Sequence, residues 1–220
     1  MKEILNEVLE KIRPDKKEIE KIANISKKLK DKAVRENVEP LIVGSVAKET
    51  NLKGADIDLF IKFNKNIDLK QKGLEIARKI LPDGKELYAQ HPYLRGEIEG
   101  IGLDVVPCYI INDSSNSISA VDRTPFHTKW VNDNIQGKED EVRLAKQFLK
   151  GAGAYGANAA VGGFSGYLVE ILIIKYGNFK NLVEEISQWK PPVIIQKVEG
   201  VPEAAMMLQD PVDEKRNVSA

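Results

Sequence analysis

The 220-residue chain balances 33 Lys and Arg against 33 Asp and Glu, so its overall charge names no polyanionic or membrane partner. A hydrophobic fraction of 42% suffices for a real core, and one cysteine with two histidines excludes a disulfide framework and the usual zinc spacings, leaving a hard cation held by oxygen open. No stretch approaches the roughly 20 apolar residues of a membrane span, and the N-terminus mixes charged with apolar residues rather than forming a signal peptide. The chain therefore reads as a cytoplasmic protein with no membrane partner.

In chain order, Ile4, Leu5, Val8, Leu9 and Ile12 recur at helical spacing, Pro14 breaks the run, and Ile19, Ile22, Ile25 and Leu29 mark a second amphipathic helix. "EPLIVGS" predicts a short buried strand that ends in the Gly44-Ser45 turn, and "VAKET" one helical turn. A strand over 56–63 follows, then a helix carrying Leu69, Leu74, Ile76, Ala77 and Ile80 that stops at "PDG". "PYLRGEIEGIGLDVVPCYII" predicts strands over 93–99 and 101–110 joined at Gly100. Beyond Ser114 the period becomes helical, over 126–135, 139–149, 164–176 and 179–189, and after Lys190 short extended pieces are punctuated by proline. The fold class is α+β, a mixed domain followed by a helical one.

Two acids interrupt the strand over 56–63. Side chains at i and i+2 share a face, so Asp56 and Asp58 stand side by side while Ile57, Leu59 and Ile61 face the core. Adjacent carboxylates repel, and the repulsion is relieved either by water on an exposed face or by a cation. Asp104, the lone acid of "GIGLDVVPCY", is by itself an ordinary solvent-facing strand residue. In combination, a Gly-Ser turn, an Asp-x-Asp strand and a later single Asp suit phosphoryl transfer. Three carboxylates can hold two magnesium ions about 4 Å apart, one activating a hydroxyl and the other clamping a triphosphate. Gly44 and Ser45 then offer backbone and hydroxyl donors to phosphate. The alternative cradle, GxxxxGK followed by Ser or Thr, is absent.

The residues resemble the nucleotidyltransferase superfamily that includes DNA polymerase β, and more closely the archaeal (class I) CCA-adding enzymes. The broad resemblance rests on "GSVAKETNLKGADIDLF" and "GLDVVPCY"; the narrower one rests on "AVDRTPFHTKW", "GKEDEVRLAKQFLK", "AYGA", "GGFSGYLVEIL" and "DPVDEKRNV", in that order. It implies a polymerase β-like catalytic head over 1–114, a helical neck over 115–190, and over 191–220 the start of a body domain without the family's tail. It further implies template-independent addition of CCA to the 3′ end of tRNA from CTP and ATP with two Mg²⁺ ions, in a family whose full-length members include homodimers.

Carried over by position, Asp56, Asp58 and Asp104 resemble the metal-binding catalytic acids. Gly44, Ser45 and Lys48 resemble the triphosphate turn, Thr124, His127, Lys146 and Tyr155 the nucleotide pocket, and Arg216 the arginine that reads the base edge. Each also has a plain reading: Lys146 as a solvated helix residue, His127 as a helix cap or filler, Tyr155 as a core anchor, and Arg216 as part of a solvated terminus. "GGFSGYLVEIL" reads as helix packing. Lys48 stands where the family has arginine, exchanging a forked donor for a point charge, and the spacer before Asp56 is one residue short. Rival functions are a poly(A) polymerase-like or small-substrate transferase and a nonenzymatic RNA-binding module.

Overall fold

The computed structural model describes residues 2–89, 91–157 and 162–219. Contacts divide the chain into two compact units, one of residues 14–128 and one of residues 1–13 with 129–220. Helix α1 (Lys2–Ile12) belongs with the C-terminal part because Arg13, just past its end, pairs with Asp140.

In residues 14–128, helix α2 (Lys16–Arg35) begins where Asp15 accepts a hydrogen bond from the Glu18 amide at 2.9 Å, a side-chain cap for an otherwise orphaned donor. It buries Ile22, Ile25, Leu29 and Ala33. Next come β1 (Glu39–Val43), the short helix α3 (Gly44–Ala47) and β2 (Ile57–Phe63). A π-helical turn, Leu69–Gly73, leads into α4 (Leu74–Ile80), followed by β3 (Lys85–Tyr88), β4 (Pro92–Ile98) and β5 (Ile101–Tyr109). The sheet order is β1-β2-β5-β4-β3, with β2 and β5 parallel and every other neighbouring pair antiparallel. Ile57, Leu59, Ile61, Leu103 and Val105 line one face and form a core with Ile25, Leu29, Ala77 and Ile80. Strand β3 was not foreseen in the sequence, because all four of its residues are exposed and no apolar alternation marks it.

The β4–β5 turn places Glu99 and Gly100 at φ 54° and 79°. That pair of positive angles is what a two-residue hairpin turn matching the strand twist requires. The turn pairs Ile98 with Ile101 and fixes every partner behind it. On the other face of the sheet, Val43, Phe60 and Cys108 pack with Val121 of α5 (Ala120–Asn134). Helix α5 starts six residues before the expected 126, with Pro125 inside it. Buried Asp122 fixes this start by accepting from the amides of Tyr109, Ile118 and Ser119 at 2.9, 3.1 and 2.9 Å.

In the other unit, α6 (Glu139–Gly151), α7 (Gly166–Tyr176) and α8 (Phe179–Ile186) bury Val142, Ala145, Leu149, Val169, Leu172, Ile173 and Leu182. Helix α7 starts at 166 rather than 164 because Ser165 caps it, accepting from the Leu168 amide at 3.1 Å. Two small strand pairs follow: β6 (Val193–Ile194) with β7 (Met206–Met207), and β8 (Gln209–Asp210) with β9 (Asp213–Asn217). Among the described residues, no helix is long and apolar enough to cross a membrane.

Candidate active site

Strand register brings the acids together. Asp58 on β2 is the direct partner of Asp104 on β5, so side chains 46 positions apart in sequence stand side by side on one face. Asp56, two residues before Asp58, joins them on that face. Two glycines make room for these carboxylates. Gly44 has φ +72°, and a Cβ there would stand 2.0 Å from Asp58 Oδ2; a Cβ at Gly102 would stand 2.1 Å from Asp56 Oδ1. The glycine of the Gly-Ser turn therefore admits the Asp58 carboxylate, a constraint that sequence reasoning had attributed to phosphate.

The register also places a cation that sequence reasoning missed. Arg95 on β4 is the partner of Asp104, so Asp58, Asp104 and Arg95 form a row across β2, β5 and β4. Its guanidinium donates to Asp104 Oδ2 at 3.3 Å through Nη1 and to Asp56 Oδ2 through Nη2. The signal was present in the hairpin: a two-residue turn at Glu99-Gly100 pairs 98 with 101 and hence 95 with 104.

Charge is not balanced in this row. Burial, followed by the carboxylates of Asp104 and Asp56, pushes Asp58 up to about 7, against the pull of Lys48 and Arg95. Asp104 is also raised, by burial first and then by Asp56, with Arg95 opposing. Asp104 Oδ1 is buried and has no hydrogen-bond partner among the described residues. Among the described residues, no group of three or more His, Cys, Asp or Glu side chains stands in metal-site geometry. In this conformation Asp56 and Asp104 are met by Arg95. The donor chemistry nevertheless suits a hard divalent cation: three carboxylates, one with an orphaned buried oxygen, in a cradle that a Cβ would fill.

The remaining candidates fall into separate settings. Ser45 lies half-buried in α3, its carbonyl accepting from the Thr50 amide at 3.0 Å, and Lys48 is buried at the C-cap of α3, within electrostatic reach of Asp58. Thr124 and His127 are half-buried on α5, where the Thr124 carbonyl accepts from Thr128 Oγ1 at 3.0 Å. Lys146 on α6 is buried, its ammonium 2.9 Å from Glu170 of α7, so the solvated reading of this residue is wrong. Tyr155 belongs to the same neighbourhood: a Cβ on Gly166 would meet its hydroxyl at 3.0 Å and Lys146 Nζ at 3.8 Å. Burial and Glu170 push the Tyr155 phenol up to about 12, so it remains a neutral hydrogen-bonding group. Arg216 on β9 is held by fully buried Asp210, Nη1 to Oδ2 at 2.8 Å, while Tyr167 donates to the other oxygen at 2.9 Å. Thus "GGFSGYLVEIL" is more than packing, since its Tyr167 and Glu170 hold the charged side chains Asp210 and Lys146.

Residues 19–127 match the family described as "Nucleotidyltransferase domain", and residues 140–220 match "tRNA nucleotidyltransferase, second domain". A "CCA-adding enzyme" of Thermoplasma volcanium is 46% identical over 223 residues, covering 97% of this chain and 51% of that protein. A sequence of the same description from Thermoplasma acidophilum is 43% identical over 217 residues, covering 94% of this chain and 97% of its own length. Among solved structures, the polymerase core of TRAMP, described as an RNA surveillance complex, superposes with a TM-score of 0.68 at 16% identity over 98% of this chain and 78% of that one. That likeness supports an α+β nucleotidyltransferase-like fold. The chain spans about half the length of several CCA-adding enzymes it matches, including the Thermoplasma volcanium protein. With both domain families matched in order, and a relative covered almost end to end at 43% identity, the chain belongs to the CCA-adding enzyme family of tRNA nucleotidyltransferases.

Proposed function

We propose that this chain carries the nucleotidyl-transfer chemistry of a CCA-adding enzyme, joining C, C and A to the 3′ end of tRNA from CTP and ATP with release of pyrophosphate. The observation that carries the proposal is the in-register pairing of Asp58 with Asp104 beside Asp56, in a chain whose relatives bear that name. Asp56, Asp58 and Asp104 would hold two Mg²⁺ ions, which when bound supply charge neutralisation for the triphosphate and the leaving pyrophosphate. Asp104, one oxygen of which is buried and unpartnered among the described residues, would accept the proton of the RNA 3′ hydroxyl. Gly44 keeps the Asp58 carboxylate in place by leaving it room.

Gly44, Ser45, Lys48, Thr124 and His127 are proposed nucleotide contacts, as are Tyr155 and Arg216. Asp210, which also accepts from the Tyr167 hydroxyl, anchors Nη1 of Arg216, and a guanidinium anchored in this way suits reading acceptors on a base edge. Lys146 is a further proposed triphosphate contact, its ammonium held by Glu170. The expected setting is the cytoplasm, where tRNA and both nucleotides are present.

The test is incubation of the chain with Mg²⁺, CTP, ATP and a tRNA lacking its last three nucleotides, followed by sizing of the RNA at single-nucleotide resolution. Growth by three that stops is the expected result. Unlimited A addition would replace this reading with a poly(A) polymerase-like one, and no Mg²⁺-dependent growth on any RNA end would overturn it.

A further inference from the structure

We propose that Arg95 is a built-in competitor of the divalent cation: it occupies the cation's place on Asp56 and Asp104 and must swing away before the acids can be loaded. The inference rests on the divalent-cation site proposed above, and it concerns a residue on a strand that carries none of the expected ligands.

The geometry sets the two occupants in competition. The guanidinium donates to one oxygen of Asp56 and to one of Asp104, two of the acids proposed above to hold the cation. An N–H···O contact holds the oxygens at hydrogen-bond distance, 3.3 Å for Arg95 Nη1 to Asp104. A magnesium-sized ion draws its oxygens to about 2.1 Å. An ion taken up by those two oxygens would compete for the lone pairs the guanidinium uses, and a cation placed against the guanidinium would meet like charge.

Arg95 also has somewhere to go. Its side chain is 45% exposed, against 16% for Asp104. An ion pair whose cation reaches solvent is only weakly held, so a doubly charged ion with triphosphate can displace it. The sequence requires no such residue for folding, since Arg95 projects from the sheet face opposite the core to which its neighbour Leu94 belongs. Its position opposite Asp104 tempers carboxylate repulsion until the cation arrives.

The decisive measurement is the Kd for Mn²⁺ alone, read as the loss of the free-ion paramagnetic resonance signal, on the whole chain and on Arg95→Met and Arg95→Lys, with folding checked by circular dichroism. Arg95→Met is expected to bind Mn²⁺ about five-fold more tightly than the parent chain. Arg95→Lys keeps the charge but loses the two-pronged bridge, so it is expected to tighten binding by a smaller factor. Equal or weaker binding in Arg95→Met would overturn the proposal, as would a Lys variant indistinguishable from the parent, because long-range charge alone would then explain the Met variant. Asp58→Ala separates the two claims. If it leaves Mn²⁺ affinity unchanged, the cation site itself is misplaced; if it abolishes binding while the Arg95 variants match the parent, only the competition fails.

Discussion

In residues 14–128 three carboxylates, Asp56, Asp58 and Asp104, gather around one bridging guanidinium, whereas in the other unit Lys146 and Glu170 pair at 2.9 Å with side chains only 3% and 0% exposed. The second arrangement cancels its charge within the fold. The first does not: among the described residues one oxygen of Asp104 has no donor, and Asp58 holds a proton far above the usual carboxylate range. An ion pair buried as a unit belongs to the architecture, and removing one member leaves a charge the interior cannot hydrate. A cluster of like charges left unbalanced stores repulsion that a proton or a cation must relieve. Unbalanced charge, more than burial, therefore supports the proposal that the acids take a ligand.

The comparison breaks most visibly at Asp58. Asp58→Ala is expected to lower nucleotidyl transfer by at least about a thousand-fold, since it removes a proposed metal ligand whose contribution is several kcal/mol. Its thermal midpoint should hold or rise, because the substitution relieves repulsion; normal turnover in this variant would dismiss the metal assignment. The opposite pattern is expected at Glu170. Glu170→Ala leaves buried Lys146 without its carboxylate and should cost about 3–5 kcal/mol in denaturant unfolding. Replacing both partners, Lys146→Met with Glu170→Leu, should recover most of that loss. A single variant as stable as the parent would mean that the pair is not structural.

These two regions were unequally legible in the sequence. The acids could be read because a strand has a period of two: Asp56 and Asp58 share a face by arithmetic, and Asp104 alternates with Leu103 and Val105. The core face of the sheet followed from the same rule. Arg95 was missed although the hairpin register placed it opposite Asp104, because an arginine on an exposed strand face carries no pattern of its own. Lys146 was read against a solvated helix, and nothing local reveals a partner 24 residues away on another helix. Glu170 sits in an apolar run and was absorbed into packing for the same reason. The early start of α5 was hidden by Pro125, which reads as a break, while the anchor that sets the start is Asp122. Exposed β3 carries no burial signal to read.

The unbalanced cluster should also be visible in the dependence of stability on pH. A carboxyl raised from 3.8 to about 7 keeps in the folded state a proton that the unfolded chain has already released. Its contribution is most favourable below the unfolded value and is lost as pH rises through the folded one. Without divalent cations, the Tm is therefore expected to fall by a few degrees between pH 4 and 7 relative to Asp58→Asn, which lacks the titrating group. Matching profiles for the two proteins would show that Asp58 ionises as freely in the fold as in water.

The smallest effect tests the compensated side of the comparison. Asp210 is fully buried, yet it receives Arg216 Nη1 on one oxygen and the Tyr167 hydroxyl and Val212 amide on the other, at 2.8, 2.9 and 3.0 Å. Tyr167→Phe removes one donor and leaves the guanidinium and the amide in place, so the carboxylate stays paired. The expected cost is about 1.5 kcal/mol, the lower end for a hydrogen bond to a charged group, because Val212 remains on the same oxygen. Arg216→Ala takes away an opposite charge from Asp210 and should cost more than Tyr167→Phe. If the two variants cost the same, it is hydrogen-bond count and not charge balance that Asp210 requires, and the distinction drawn between the two regions would lose its basis.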